Sequence, residues 1–184
     1  MKRLLFVALA VLMLTNLSFA QAEIGLNAVG GHIGYIMPED PIDNTIGFGA
    51  AADLGTIRPD IHLKAFLDYW GKTYDAGYYE WTYSEIIVGA TAKYYFAKQG
   101  EFLPYAGGGL GLVIGKSSGK YTGPQYSGYT YADDSSSDTK LGFHFCAGAD
   151  YPLSPTLTGF GEIKYTINGA DFFGIYIGAV YKLK

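Results

Sequence analysis

The last dozen residues constrain this chain most. From Phe173 the odd positions read Phe173, Ile175, Ile177, Ala179, Tyr181 and Leu183, and the even positions read Gly174, Tyr176, Gly178, Val180, Lys182 and Lys184. A strict period of two with one wholly apolar face is a β-strand, because successive side chains of a strand leave on opposite sides. The same alternation recurs upstream, and the less apolar face is rich in glycine instead of charge.

Eight such segments can be read: about Ile24–Ile36, Thr45–Gly55, Asp60–Trp70, Thr82–Phe96, Phe102–Gly115, Lys140–Tyr151, Thr156–Ile167 and Phe172–Leu183. Most reach the ~9–11 residues that a tilted membrane strand needs. Short connections at Thr56–Pro59, Ala97–Glu101 and Pro152–Pro155 alternate with longer ones at Met37–Asn44, Gly71–Trp81 and Ser117–Thr139. The last connection, Asn168–Asp171, is short. Strand one is less regular. Leu26 and Ala28 share one face and Val29, Ile33 and Tyr35 the other, so a bulge is expected near Asn27–Gly30.

Alternation alone does not say which face points inward. A soluble lipocalin-like barrel keeps its apolar face inside, and a membrane barrel reverses this. Glycine separates the two readings. The polar face of strand two is Thr45, Gly47, Gly49, Ala51, Asp53 and Gly55, and strand five aligns Tyr105 with Gly107, Gly109 and Gly111. A solvated surface has no use for such small residues, since glycine weakens a strand. A narrow eight-stranded lumen needs them. The fold expected is therefore all-β, an eight-stranded antiparallel up-and-down transmembrane β-barrel. Composition agrees: charged residues make up 16% of the chain, against roughly 25% in ordinary soluble domains.

Met1–Ala20 reads as a cleaved signal peptide. Lys2 and Arg3 precede the apolar run Leu4–Leu14, and Ser18-Phe19-Ala20 offers small residues for cleavage. Residues 21–184 then form the barrel domain. Loss of Lys2 and Arg3 leaves 11 basic residues against 17 acidic ones, a net of −6, so nucleic acid is not expected as a partner. The single cysteine, Cys146, excludes an internal disulfide.

Two motifs carry a family resemblance. Pro104-Tyr105-Ala106-Gly107-Gly108-Gly109-Leu110-Gly111 resembles the Gly-rich strand of small OmpA-like and opacity-type outer membrane barrels. Gly178, Tyr181 and Leu183 resemble the C-terminal signal read by the barrel-assembly machinery. The tail departs from the usual terminal aromatic by ending on Lys184, which bears on assembly efficiency. The resemblance implies the barrel domain only, without a cell-wall-binding domain. It implies the outer membrane of a Gram-negative-type bacterium, with outer membrane lipid and the assembly machinery as partners.

The lumen face is expected to hold a paired polar network of Asp53, His62, Lys64, Asp68, Glu85, Lys93, Lys140, His144, Asp150, Glu162, Lys164 and Lys182, with Glu162 facing Lys140 or Lys182. Buried charges require partners. A structural or surface-interaction role is expected, with a small pore as the alternative. A lipid-modifying enzyme is less favoured, because no strand sets a histidine close to a serine. His144 and Cys146 share a face and read as packing residues. The long connections carry Tyr78, Trp81, Tyr126, Tyr129 and Tyr131, which are candidate contacts for an extracellular ligand. No cofactor is expected. Asp133, Asp134 and Asp138 match no defined calcium loop.

Overall fold

The computed structural model describes residues 22–97, 99, 101–124 and 134–183. The expected signal peptide, and Tyr126, Tyr129, Tyr131 and Asp133, lie outside the described residues. Eight strands follow one another: β1 (Glu23–Pro38), β2 (Thr45–Arg58), β3 (Ile61–Asp75), β4 (Tyr79–Tyr95), β5 (Leu103–Tyr121), β6 (Asp134–Pro152), β7 (Leu157–Ile167) and β8 (Phe172–Lys182). Each pairs antiparallel with the next, and β8 closes the ring on β1 from Ala28↔Lys182 to Pro38↔Phe172. Closure leaves no unpaired edge.

The apolar face points outward. Phe48, Leu112, Phe145 and Ile177 are 54–64% exposed on the isolated chain. Trp70, Tyr105, Phe172, Ile36 and Glu85 fill the inside and are almost wholly buried. A barrel with an apolar exterior and a packed, partly charged interior suits a membrane and not bulk water. The soluble alternative, with an apolar interior, is thereby reversed.

Two expected loops contain strand. β3 and β4 leave only residues 76–78 between them, where 71–81 reads as a loop. β5 runs on to Tyr121 and β6 starts at Asp134, inside the expected 117–139 connection. The ladder continues unbroken through Ile114↔Thr139, Ser117↔Ser136 and Gly119↔Asp134. Beyond the apolar band both faces meet water, so the alternation disappears from the sequence while the backbone pairing persists. Side chains reinforce it: Thr73 and Thr82 share a 2.9 Å hydrogen bond, and Trp81 Nε1 donates to Ser117 Oγ at 2.9 Å.

The expected irregularity of β1 is present and overlaps the early edge of the 27–30 window. Its register against β2 shifts between Ile24 and Ala28. Leu26 therefore faces outward like Val29, and does not share a face with Ala28, which is buried. Between the pairs Ile24↔Gly55 and Ala28↔Asp53, β1 advances four residues and β2 two, so strict alternation is broken across the bulge. Gly55 sits opposite with φ +95, where an added Cβ would overlap Glu23 O, so only glycine fits this corner.

The start of β1 and the end of β8 lie at one rim, with the connections from β2 to β3, β4 to β5 and β6 to β7. The opposite, distal rim carries the extended strands and residues 39–44, 76–78, 122–124 and 168–171.

Candidate functional site: a filled lumen beneath an aromatic rim

Inward-facing positions of neighbouring strands build the lumen in layers. Nearest the distal rim is an apolar plug of Ile36, Trp70, Ile87, Val113, Phe172 and Tyr176. Trp70 packs against Phe172 and Tyr83, each at 5.6 Å between ring centroids. These are large rings packed against one another across a narrow barrel.

Below the plug the interior is ionic. Lys164 Nζ donates to Asp68 Oδ2 at 2.6 Å, and His32 Nε2 lies 2.8 Å from Asp68 Oδ1. Lys93 Nζ donates to Glu162 Oε2 at 2.5 Å, and Tyr105 Oη donates to the same oxygen at 3.0 Å. Lys64 reaches Asp150 at 3.4 Å, and Tyr95 Oη donates to that carboxylate at 2.7 Å. Aromatic faces complete the cation shells. Lys93 Nζ lies 4.0 Å from the Tyr105 centroid, and Lys164 Nζ lies 4.3 and 4.5 Å from Phe66 and Tyr176. The cavity among His32, Lys93, Glu162 and Lys164 measures about 30 Å³, and a second space of about 290 Å³, bordered by Asp53, His62, Lys64 and Asp150, lies toward the rim of the chain ends. The first of these has room for a water molecule.

The structure brings most of the expected polar residues into this network. Glu85 is held by Tyr83 Oη at 2.8 Å and Asn168 Nδ2 at 3.3 Å. His144 lies 2.8 Å from Thr91 Oγ1, with Phe66 edge-on at 5.1 Å. Asp53 and His62 approach to 3.8 Å at the rim of the chain ends.

One expected pairing is corrected. Glu162 binds Lys93, not Lys140 or Lys182. Glu162 pairs in register with Gly148 and Tyr176. Lys140 and Lys182 lie eight and six residues from those partners along their strands, which at ~3.3 Å per residue is roughly 20–26 Å. Both are exposed, Lys140 beside Asp138 at 3.3 Å and Lys182 at the opposite mouth. The network also recruits His32, Thr91, Tyr95, Tyr105 and Asn168. Parity could have found Tyr95, two residues beyond Lys93, and His32 once the bulge is placed.

Cys146 is buried beside Tyr95 and Tyr105, and His144 is 2% exposed, so neither meets a lipid substrate. No group of three His, Cys, Asp or Glu side chains converges as metal ligands among the described residues.

Aromatic rings climb the distal strands above the plug. Tyr83 stacks with Trp81 at 6.3 Å, and Trp81 stacks with Tyr74 at 5.4 Å. Tyr79 meets Tyr121 edge-on at 5.1 Å. Tyr78 and Tyr79 are 62% and 58% exposed at the tip. At the other end Tyr181 points outward between Val29 and Leu157, and Leu183 N–H donates to Asn27 O at 2.8 Å. Gly178 lies where an added Cβ would stand 2.6 Å from the ring of Phe160.

This architecture is shared with several solved proteins. Neisserial surface protein A is 17% identical, with a TM-score of 0.62 over 85% of this chain and 96% of its own. Ail, the attachment invasion locus protein of Yersinia pestis, is 16% identical, with a TM-score of 0.57 over 86% of this chain and 100% of its own. A major outer membrane protein of Thermus thermophilus is 11% identical, with a TM-score of 0.67 over 86% of this chain and 98% of its own. At these identities the likeness is one of fold. No curated protein matches the sequence. The sequence model of the outer membrane protein beta-barrel domain matches residues 6–182. With eight strands in a closed ring and an apolar exterior, the chain belongs to the outer membrane protein beta-barrel domain family and resides in the outer membrane.

Proposed function

We propose that this protein is a closed barrel that works by surface interaction through its distal rim, which faces outside the cell. The observation that carries this reading is the buried apolar plug beneath strands that extend past the membrane band with exposed tyrosines. Strands β3 to β6 run past the apolar band at the distal rim, which supports an outside position for that rim and a periplasmic one for the rim of the chain ends. Met1–Ala20 serves as the export signal. The lumen network acts as internal scaffold, not as a catalytic or conducting device. Purified protein in planar bilayers is expected to give no steady single-channel conductance. A reproducible open level would overturn the reading in favour of a small pore.

The rim's charge narrows the partner. Glu39, Asp40, Asp43, Asp75, Glu80, Asp134, Asp138 and Asp171 outnumber Lys72, Lys116, Lys120 and Lys140 two to one among the described residues. Ail has been solved with the heparin analogue sucrose octasulfate. A polyanion of that kind is disfavoured on the acidic rim of this protein.

Gly178, Tyr181 and Leu183 act as the signal for the barrel-assembly machinery. Tyr181→Ala removes an exposed aromatic and no lumen contact, so the folded barrel's stability changes little. Its surface level is expected to fall several-fold in quantitative immunoblots of outer membranes. Wild-type levels would show that the tail is not read in this way.

A further inference from the structure

A cavity of about 350 Å³ lies above the plug, floored by Trp70 and walled by Trp81 and Tyr83 on one side and the 39–42 segment on the other. Its size suits a small ligand. Its lining is poor in hydrogen-bond donors. Pro38 and Pro41 have no N–H. The Glu39 N–H donates to Asp171 O at 2.9 Å, and the Ile42 N–H donates to Glu39 O at 3.3 Å. The Gly169 and Ala170 N–H groups are taken by Asp171 Oδ1 and Asn168 Oδ1 at 3.1 and 2.9 Å. Trp81 Nε1 donates to Ser117 and Tyr83 Oη to Glu85. Trp70 Nε1 has no hydrogen-bond partner, but the atom is buried and is not presented to the cavity. Aromatic surface remains, together with the exposed carboxylates of Glu39 and Asp40, which join no ion pair among the described residues. No lysine or arginine lines the space.

A sugar's hydroxyls could donate to the carboxylates but would find few donors in return, and an anion would meet two carboxylates. A cation with an apolar body satisfies both surfaces, because ring faces attract positive charge and the carboxylates neutralise it. We propose that this cavity binds a small organic cation of the quaternary-ammonium class, its head over the Trp70, Trp81 and Tyr83 rings and its charge toward Glu39 and Asp40. The inference rests on the cavity alone and holds whether or not the rim also docks a macromolecule.

The chain's two tryptophans, Trp70 and Trp81, both line the cavity, so intrinsic fluorescence reports occupancy directly. The barrel would be folded in octyl glucoside, whose headgroup carries no ammonium, and titrated with choline against equal sodium chloride. The matched neutral probe is 3,3-dimethylbutan-1-ol, in which carbon replaces the charged nitrogen. Choline is expected to give a saturable change at a concentration about tenfold or more below that needed with the alcohol. The double variant Glu39→Gln/Asp40→Asn should weaken choline by about tenfold. Trp81→Leu, which keeps apolar bulk but removes the ring, should weaken it comparably, read through Trp70. Folding of each variant is checked by the mobility difference between boiled and unboiled samples. Equal affinity for the two probes, no saturable response to choline, or unchanged affinity in the folded carboxylate variant would overturn the proposal.

Discussion

Asp68→Leu is expected to lower the unfolding free energy of the barrel by about 3–5 kcal/mol, the range for breaking a buried ion pair from one side. Asp68 and Lys164 side chains are only 4% and 5% exposed, and the carboxylate also holds His32 at 2.8 Å. Without it the Lys164 ammonium stays in the lumen with no anion of its own. Phe66 and Tyr176 still face it, but ring faces contribute only ~0.5–2 kcal/mol. Glu162 is already engaged by Lys93 at 2.5 Å. The nearest release is a wholesale shift of β7, which the ladders to β6 and β8 resist.

Equilibrium urea unfolding in lipid vesicles would measure the loss, with gel mobility and tryptophan fluorescence as independent probes. The double variant Asp68→Leu/Lys164→Met should regain most of it, because an apolar pair of similar size replaces both charges. A single-variant loss below about 1 kcal/mol, or strictly additive losses in the double, would mean that the two groups do not depend on each other. Non-additivity is thus the signature of the network, separate from any general fragility of the lumen.

How much of this was legible in the chain varied with the local physics. β5 to β8 could be read within the membrane band because small or polar inward residues alternate with large apolar outward ones. The orientation of that alternation rested on Gly47, Gly49, Gly107, Gly109 and Gly111, which only a crowded interior explains. β1 was obscured by its bulge, which breaks the alternation between Ile24 and Ala28. The upper halves of β5 and β6 were hidden differently: Lys116, Ser117 and Ser118 face Ser137, Ser136 and Ser135, and water on both sides erases the pattern. The ion pairs were the least legible. Lys93 and Glu162 are 69 residues apart and do not sit on adjacent strands. Their meeting depends on the stagger set by closing the ring, a property of all eight strands together. Charges on strand neighbours, such as Glu162 with Lys140 or Lys182, look closer in order but lie far apart in height.

The same crowding predicts opposite outcomes for two glycine-to-alanine changes in the sheet. In Gly109→Ala the new methyl would overlap the carbonyl oxygen of Ala90 and stand 2.8 Å from His144 Cε1. Neither neighbour can yield cheaply. Ala90 O belongs to the β4–β5 ladder, and His144 is 2% exposed and tied to Thr91 at 2.8 Å. Overpacking of this kind costs about 3 kcal/mol, at the upper end of the usual range, because backbone must move. In Gly161→Ala the added Cβ meets nothing within 4 Å. There the change removes only the conformational freedom of glycine, worth roughly 0.5–1 kcal/mol in favour of the folded strand. Both positions lie within regular strands, so strand propensity is the same and the contrast isolates the lumen contact. Urea midpoints in vesicles should therefore fall for Gly109→Ala and hold or rise slightly for Gly161→Ala. If the two variants shifted together, close approach inside the barrel would not be what the glycine of β5 provides, and the assignment of the small-residue face to a crowded interior would lose its physical basis.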